Sequence, residues 1–279
     1  MKIGIVDVGG GTRGIYGAGV LDRCLDENIV FDYAVGVSAG SANFASYCAG
    51  QKGRNFIFYT EYSFRSEYMG FSNMRKTGSF IGLDYIYSEL SNSTGENPLD
   101  YEAIIKSPTE LEIVATNAET GKSVYFSKSD FKKDCYDILK ASCCIPFVNR
   151  PYFINEIPYY DGGISDPVPF KRAFEQGCDK VVLILTKPIN TEISNTRNSF
   201  AAKMLEKKYP EAAKSTDSCN AVYLESVSEA ITLEKQGKVL IISPNSIGGL
   251  KTLSKDPSVL KQLYVKGYHD GRRIRDFIK

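Results

Sequence analysis

Two short apolar runs, each breaking into a glycine-rich turn, open this chain and narrow what it can fold into. Ile3, Ile5, Val6 and Val8 lead into Gly9-Gly10-Gly11-Thr12-Arg13-Gly14, and the run from Phe31 to Val37 leads into Ser38 within Gly36-Val37-Ser38-Ala39-Gly40. Such runs, bounded by turn residues, read as buried strands. Between them Ile15, Val20, Leu21, Cys24 and Leu25 give one apolar side to a helix reaching Glu27, and small residues from Ala39 to Cys48 predict a second helix. Strand, helix and strand in so few residues imply a parallel βαβ unit.

Further along, residues 54–95 are dense in aromatics with poor helical period, and read as an irregular insertion over the sheet, either a lid or acyl channel or ordinary core. Leu111–Asn117 and Ser123–Phe126 predict a hairpin turning at Glu119–Lys122, and Tyr152–Ile154 with Ile157–Tyr160 a second one delivering the chain to Asp161-Gly162-Gly163. A helix is expected over Asp134–Ser142. Asp166-Pro167 reads as a helix start, with that helix running to Gln176 and stopping at Gly177. Val181–Leu185 and Val239–Ile242 read as strands, 198–236 as helical, and Asp256-Pro257 as the start of a last helix to the C-terminus. Strands alternating with helices predict an α/β fold, a mainly parallel sheet covered on both faces, in a single domain over 1–279.

The GxSxG at 36–40 follows a predicted strand and precedes a predicted helix. That context turns a weak pattern into a strained turn that projects the serine side chain from the sheet, with flanking glycines removing Cβ atoms that would clash. The glycine loop at 9–14 has two readings. Gly9-x-Gly11-x-x-Gly14 fits a dinucleotide fingerprint, but that reading wants an acid at the end of the second strand, and Asp32 falls at its beginning. The other reading is an oxyanion hole, with backbone N–H groups of Gly10, Gly11 and Ala39 converging on a developing alkoxide. Arg13 either braces that loop or faces solvent.

Asp161-Gly162-Gly163 is either a turn or the general base for Ser38. The chain contains one histidine, His269, so a Ser-Asp-His triad would have to be Ser38, Asp161 and His269. Leu260, Leu263, Tyr264, Gly267, Gly271, Ile274 and Ile278 share one face of the last predicted helix, which turns His269 outward. A carboxylate hydrogen-bonded directly to the serine hydroxyl in a site that excludes water can serve instead.

GGGTRG at 9–14, GVSAG at 36–40 and DGG at 161–163, in that order, resemble the patatin-like phospholipase family. Ala18–Asp22, Ala141-Ser142, Pro146 and Asp166-Pro167-Val168-Pro169 support the resemblance, which covers most of residues 1–190. It implies a three-layer α/β/α fold and metal-free hydrolysis of lipid acyl esters by a Ser-Asp dyad, with Ser38 as nucleophile, Asp161 as base, and Gly10 and Gly11 in the oxyanion loop. Gly9, Arg13, Gly14, Gly36, Gly40, Gly162 and Gly163 complete the motifs. Cys143-Cys144 stands where relatives more often carry alanine, which reads as packing that does not touch the dyad.

Composition narrows the partners. A net charge of +1 gives no basic footprint for nucleic acid, and no stretch reaches the length of a membrane span. Seven scattered cysteines without a CxxC pair suggest neither zinc nor a disulfide framework, and fit a reducing cytoplasm. The expectation is a cytoplasmic enzyme with no cofactor that touches membrane or micelle peripherally. A nucleotide-binding oxidoreductase, an idle lipid-binding protein of the same fold, and an acyltransferase or thioesterase on the same dyad are the alternatives.

Overall fold

The computed structural model describes all 279 residues. In chain order its elements are β1 (Ile3–Asp7), α1 (Ile15–Asp26), β2 (Tyr33–Val37), α2 (Ala39–Cys48), α3 (Arg54–Thr60), α4 (Phe71–Thr77), α5 (Tyr101–Lys106), β3 (Glu110–Asn117), β4 (Ser123–Ser127), α6 (Asp137–Ser142), β5 (Tyr152–Ile154), β6 (Ile157–Asp161), α7 (Phe170–Glu175), β7 (Lys180–Ile184), α8 (Thr196–Leu205), α9 (Pro210–Lys235), β8 (Val239–Ile242), α10 (Pro257–Asp270) and α11 (Arg273–Phe277). The strands form one sheet in the order β5-β6-β3-β2-β1-β7-β8, with β4 also on β3. The β3-β2-β1-β7-β8 part is parallel and the β4, β5 and β6 pairings are antiparallel.

Strand alternation divides the core between two faces. Ile5, Ala34, Val182 and Ile242 join the larger cluster with Val20 of α1, Phe44 of α2 and Leu260 of α10. Val6, Val35, Leu183 and Ile241 point the other way, onto Phe170 of α7 and Tyr223 and Val227 of α9. The result is the three-layer α/β/α arrangement. No helix is long and apolar enough to cross a membrane.

Both predicted hairpins form. The helix expected from Asp166 does not start there. The Asp166 carboxylate accepts a 2.6 Å bond from the Tyr125 hydroxyl, Pro167 and Pro169 interrupt the turn, and α7 begins at Phe170. The helix expected over Asp134–Ser142 is shorter too, since Asp134 has a positive φ of 56° and α6 starts at Asp137. The last helix does start at Asp256, whose carboxylate caps the N–H groups of Ser258 and Val259, but it breaks at Gly271-Arg272 into α10 and α11.

Residues 54–95 fold as short helical pieces: α3, α4, a 3-10 turn at Tyr62–Phe64 and a π-helical turn at Tyr85–Leu90. Tyr59, Tyr68, Ile81, Ile86 and Tyr87 are core residues. By contrast α4 buries nothing, and Phe71 on it is 85% exposed.

Candidate active site

Strand register brings Ser38 and Asp161 together. Val114 of β3 pairs with Val37 of β2 and Tyr125 of β4, while the next residue, Ala115, pairs with Val124 of β4 and Asp161 of β6. A strand has two edges, and β4 occupies one of them through both residues. Hence β2 and the oppositely running β6 share the other edge and meet end to end. The chain leaving Val37 cannot continue straight, because the next position beside β3 is held by Asp161. It turns out at Ser38, with φ 55° and ψ −126°, directly into α2. Such backbone is costly for a non-glycine residue and is found where surroundings enforce it. Here Ser142 Oγ accepts the Ser38 N–H at 2.9 Å and contacts Ser41 Oγ at 2.9 Å.

Ser38 and Asp161 are both almost fully buried, 8% and 7% exposed, yet both border open space. The Asp161 Oδ1 accepts the Gly163 N–H at 2.8 Å, and Ser38 and Asp161 line the same cavity. Burial raises the Asp161 pKa to about 6, while the bonds from Ser38 and Gly163 pull it down. This group titrates near neutrality, which an ordinary aspartate does not.

The glycine loop lies against the Ser38 turn. Gly9 has φ 64°, and a Cβ there would collide with the Val37 carbonyl oxygen and crowd the N–H groups of Ala39 and Gly40. Gly10, with φ 114°, sits under Thr186 and the Arg13 guanidinium. The N–H groups of Gly10 and Gly11 find no acceptor within the chain, and the Ala39 N–H is one of the donors that a helix start leaves free. Below the loop, Asp7 is fully buried, accepts the Gly9 N–H and Asn43 Nδ2 at 2.9 Å each, and has its pKa raised by burial to about 6. Asn43 Nδ2 also donates to the Gly14 carbonyl at 2.8 Å, which ties loop, strand and α2 together. From the far end of the chain, the Thr252 carbonyl accepts the Thr12 N–H at 2.9 Å.

The Arg13 guanidinium lies beside Gly10, with its Nε buried and without a hydrogen-bond partner. Gly36, Gly40, Gly162 and Gly163 all lie where the strands and α2 meet. Gly36 and Gly40 let α2 pack on β2 and β1, and Gly162 lies against the Val114 carbonyl. His269 is exposed on α10, edge-on to Tyr268. Asp32 takes the Ile3 N–H at 2.7 Å at the start of β2, so it is spent on stitching strands at the edge remote from the glycine loop. No cluster of three or more His, Cys, Asp or Glu residues could hold a metal.

One expectation needs correction. Cys143-Cys144 does touch the site: Cys143 lines the apolar space that Ser38 also borders and its thiol lies 3.2 Å from the Tyr87 hydroxyl, while the Cys144 carbonyl accepts the Asp161 N–H at 2.8 Å. Burial pushes the Cys143 pKa to about 12, so it is a neutral thiol. Adjacency along the chain carried no sign of this, because α6 ends beside Ser38 only once β3 and β6 are in place.

Two spaces meet at Ser38. One is apolar and small, about 50 Å³, lined by Phe58, Tyr59, Ile86, Tyr87 and Ile145 among others. The other is open and large, about 920 Å³, and contains Gly10, Gly11, Ser38, Asp161 and Lys187.

A family model described as patatin-like phospholipase matches residues 8–174. A second, described as a domain of unknown function (DUF6363), matches residues 209–278. Among curated proteins, the "Uncharacterized protein YjjU" of Escherichia coli (strain K12) is 30% identical over 200 residues, covering 67% of this chain and 52% of that protein. The chain thus spans about half the length of this relative. Among solved structures, VipD from Legionella pneumophila aligns over 99% of this chain and 66% of its own with a TM-score of 0.51 and 14% identity, which is a likeness of fold.

Proposed function

Because the chain belongs to the patatin-like phospholipase family, we propose that it hydrolyses lipid acyl esters with Ser38 as nucleophile and Asp161 as its base. The observation that carries this reading is the end-to-end meeting of β2 and β6. It sets a strained serine beside a buried carboxyl that titrates near 6, facing unpaired N–H groups of a glycine loop.

Asp161 takes the hydroxyl proton as Ser38 Oγ attacks the ester carbonyl. Gly10, Gly11 and Ala39 N–H groups hold the oxyanion, where each donor is worth on the order of 3 kcal/mol in the transition state. The ester C–O bond breaks, and Asp161 returns the proton to the departing alcohol. A water then gives its proton to Asp161 and attacks the acyl-serine. The fatty acid leaves and Ser38 regains its proton. The neighbouring neutral Cys143 neither competes as nucleophile nor needs to. The apolar space lined by the 54–95 aromatics suits the acyl chain.

We take residues 1–279 as one working unit, since α10 packs along α1 and the turn at 251–254 holds the glycine loop. Exposed Phe71 offers peripheral contact with a membrane or micelle. The seven unpaired thiols suit the reducing cytoplasm.

Turnover of a short-chain lysophospholipid tests the proposal. Ser38→Ala and Asp161→Asn should each lose about 10²–10⁴-fold in kcat while keeping the wild-type circular dichroism. Undiminished turnover in either variant would refute the dyad.

A further inference from the structure

We propose that Arg54 makes the small space beside Ser38 a pocket for an acyl chain that ends in a carboxylate, so that the substrate is an ester of a dicarboxylic acid rather than of a plain fatty acid. The inference rests on the reading of Ser38 as the nucleophile and adds the class of acyl group.

Most of this space is apolar, as an acyl chain requires, but its lining is not uniform. Phe58, Ile86 and Leu253 border it, and so do the neutral polar residues Asn55 and Ser91. Arg54 is the one charged residue in the lining, which holds neither Asp nor Glu. No carboxylate lies within 4 Å of the Arg54 guanidinium, since Arg54 takes part in no salt bridge. Other cations withdrawn from solvent are neutralised: Lys140 by Asp84 and Asp137, Arg172 by Glu112.

Neutral acceptors alone hold the guanidinium. Its Nε donates to the Pro98 carbonyl at 3.1 Å, its Nη1 to Ser46 Oγ at 3.1 Å, and its Nη2 to Ser91 Oγ and the Asn97 carbonyl at 2.8 Å each. A guanidinium has five N–H donors, so one on Nη1 is left over. Burial lowers the Arg54 pKa to about 10, which leaves it a cation at neutral pH. Buried charges in native proteins are paired, and an anion relieves the cost of one that is not. The two oxygens of a carboxylate fit the guanidinium fork. One cation among neutral neighbours matches one negative charge, which points to a carboxylate rather than a phosphate dianion.

The cation also stands at a useful distance from the serine. Ala39 and Ala42, on the first turn of α2, border the space next to Ser38, and Ser46, one turn beyond Ala42, holds the Arg54 Nη1. At about 1.5 Å of rise per residue, Ser46 lies roughly 10 Å along α2 from Ala39. An ester carbonyl at Ser38 and a carboxylate at Arg54 can therefore belong to one extended acyl chain of medium length lying along α2. Arg54 ties α3 to the turn at 91–98, so the residue that reads the chain end also fixes the wall of the pocket. A plain fatty acyl chain reaching this end would press hydrocarbon on an unneutralised charge, and that penalty gives the discrimination.

Calorimetry on full-length Ser38→Ala protein tests this without turnover, using acetate and the monomethyl and dimethyl esters of succinic, adipic, suberic and sebacic acids. At the adipic or suberic length the monomethyl ester should bind at least tenfold tighter than the dimethyl ester. At the succinic length, too short to span, the two should bind alike. Adding Arg54→Met should abolish the preference and leave the affinity for the dimethyl ester. Equal binding at every length, or a preference of the same size at every length, would overturn the pocket, and this length series decides alone should the Arg54→Met protein not fold. A preference that survives Arg54→Met would overturn it in favour of the cations of the large cavity. Acetate binding as tightly as the best half-ester would overturn it in favour of a simple anion site. If wild-type protein hydrolyses none of these esters while Ser38→Ala protein keeps the preference, the hydrolase reading fails and the pocket stands. Hydrolysis of both ester series at equal kcat/KM would sink the pocket and leave the hydrolase.

Discussion

Burial holds the Asp161 carboxyl at about 6 against the downward pull of Ser38 and Gly163. A base must be ionised to accept a proton, so kcat/KM should fall as pH drops through about 6, well above the range of a free aspartate. Asp7, raised by burial to a similar value, could produce the same limb. Asp7→Asn separates the two: the limb should persist in that variant, and its disappearance would move the base assignment away from Asp161. Stability follows the same carboxyl with the opposite benefit. A folded pKa above the unfolded value stabilises fully below about 4, and that contribution is lost as pH rises through about 6. At pH 8 Asp161→Asn removes an ionised buried carboxylate and should raise stability, by at most about 3 kcal/mol for a two-unit shift. A fall in melting temperature at pH 8 would contradict this. That Ser38 and Asp161 each stand at a strand end was legible in the sequence, because each lies in a glycine motif that follows a short apolar run. Cys143 was not, since it reaches the neighbourhood of Ser38 from a helix end that only tertiary packing brings there.

At the scale of elements, periodicity served best where one face is buried. β8 was predicted residue for residue, and α2 and both hairpins match closely. It failed where polar side chains had other partners: the expected cap at Asp166 is occupied by Tyr125, and α7 starts later. The 54–95 segment was unreadable as regular structure because its helices are too short to show a period. Within it α4 buries no residue and is anchored mainly through its flanks, as in the Gly70 N–H to Phe80 carbonyl bond. An element with so little packing opens at low cost. Should an acyl chain enter beneath this segment, as the proposed function has it, α4 is the part we expect to give way, since it buries no residue. Limited proteolysis should cut near residues 71–79 first, and a bound long-chain fluorophosphonate should change the rate of that cut. Cleavage elsewhere first, or at a rate indifferent to the ligand, would rule α4 out as the moving part.

Across the whole molecule, the two matched family segments are interleaved in space rather than set side by side. β8 extends the sheet that β1 and β2 begin, α10 lies along α1, and the turn at 251–254 holds the glycine loop. Thermal unfolding of the full chain should therefore be a single transition, and two resolved transitions would argue for separable domains. The central claim is that Ser38 is activated by Asp161. The direct measurement is labelling of the folded protein with a fluorophosphonate, locating the adduct by peptide mass spectrometry, with Asp161→Asn alongside. The account predicts an adduct on Ser38 that forms at least a hundredfold more slowly in the variant. An adduct on another residue, or labelling of Ser38 at the same rate without the Asp161 carboxylate, would contradict it.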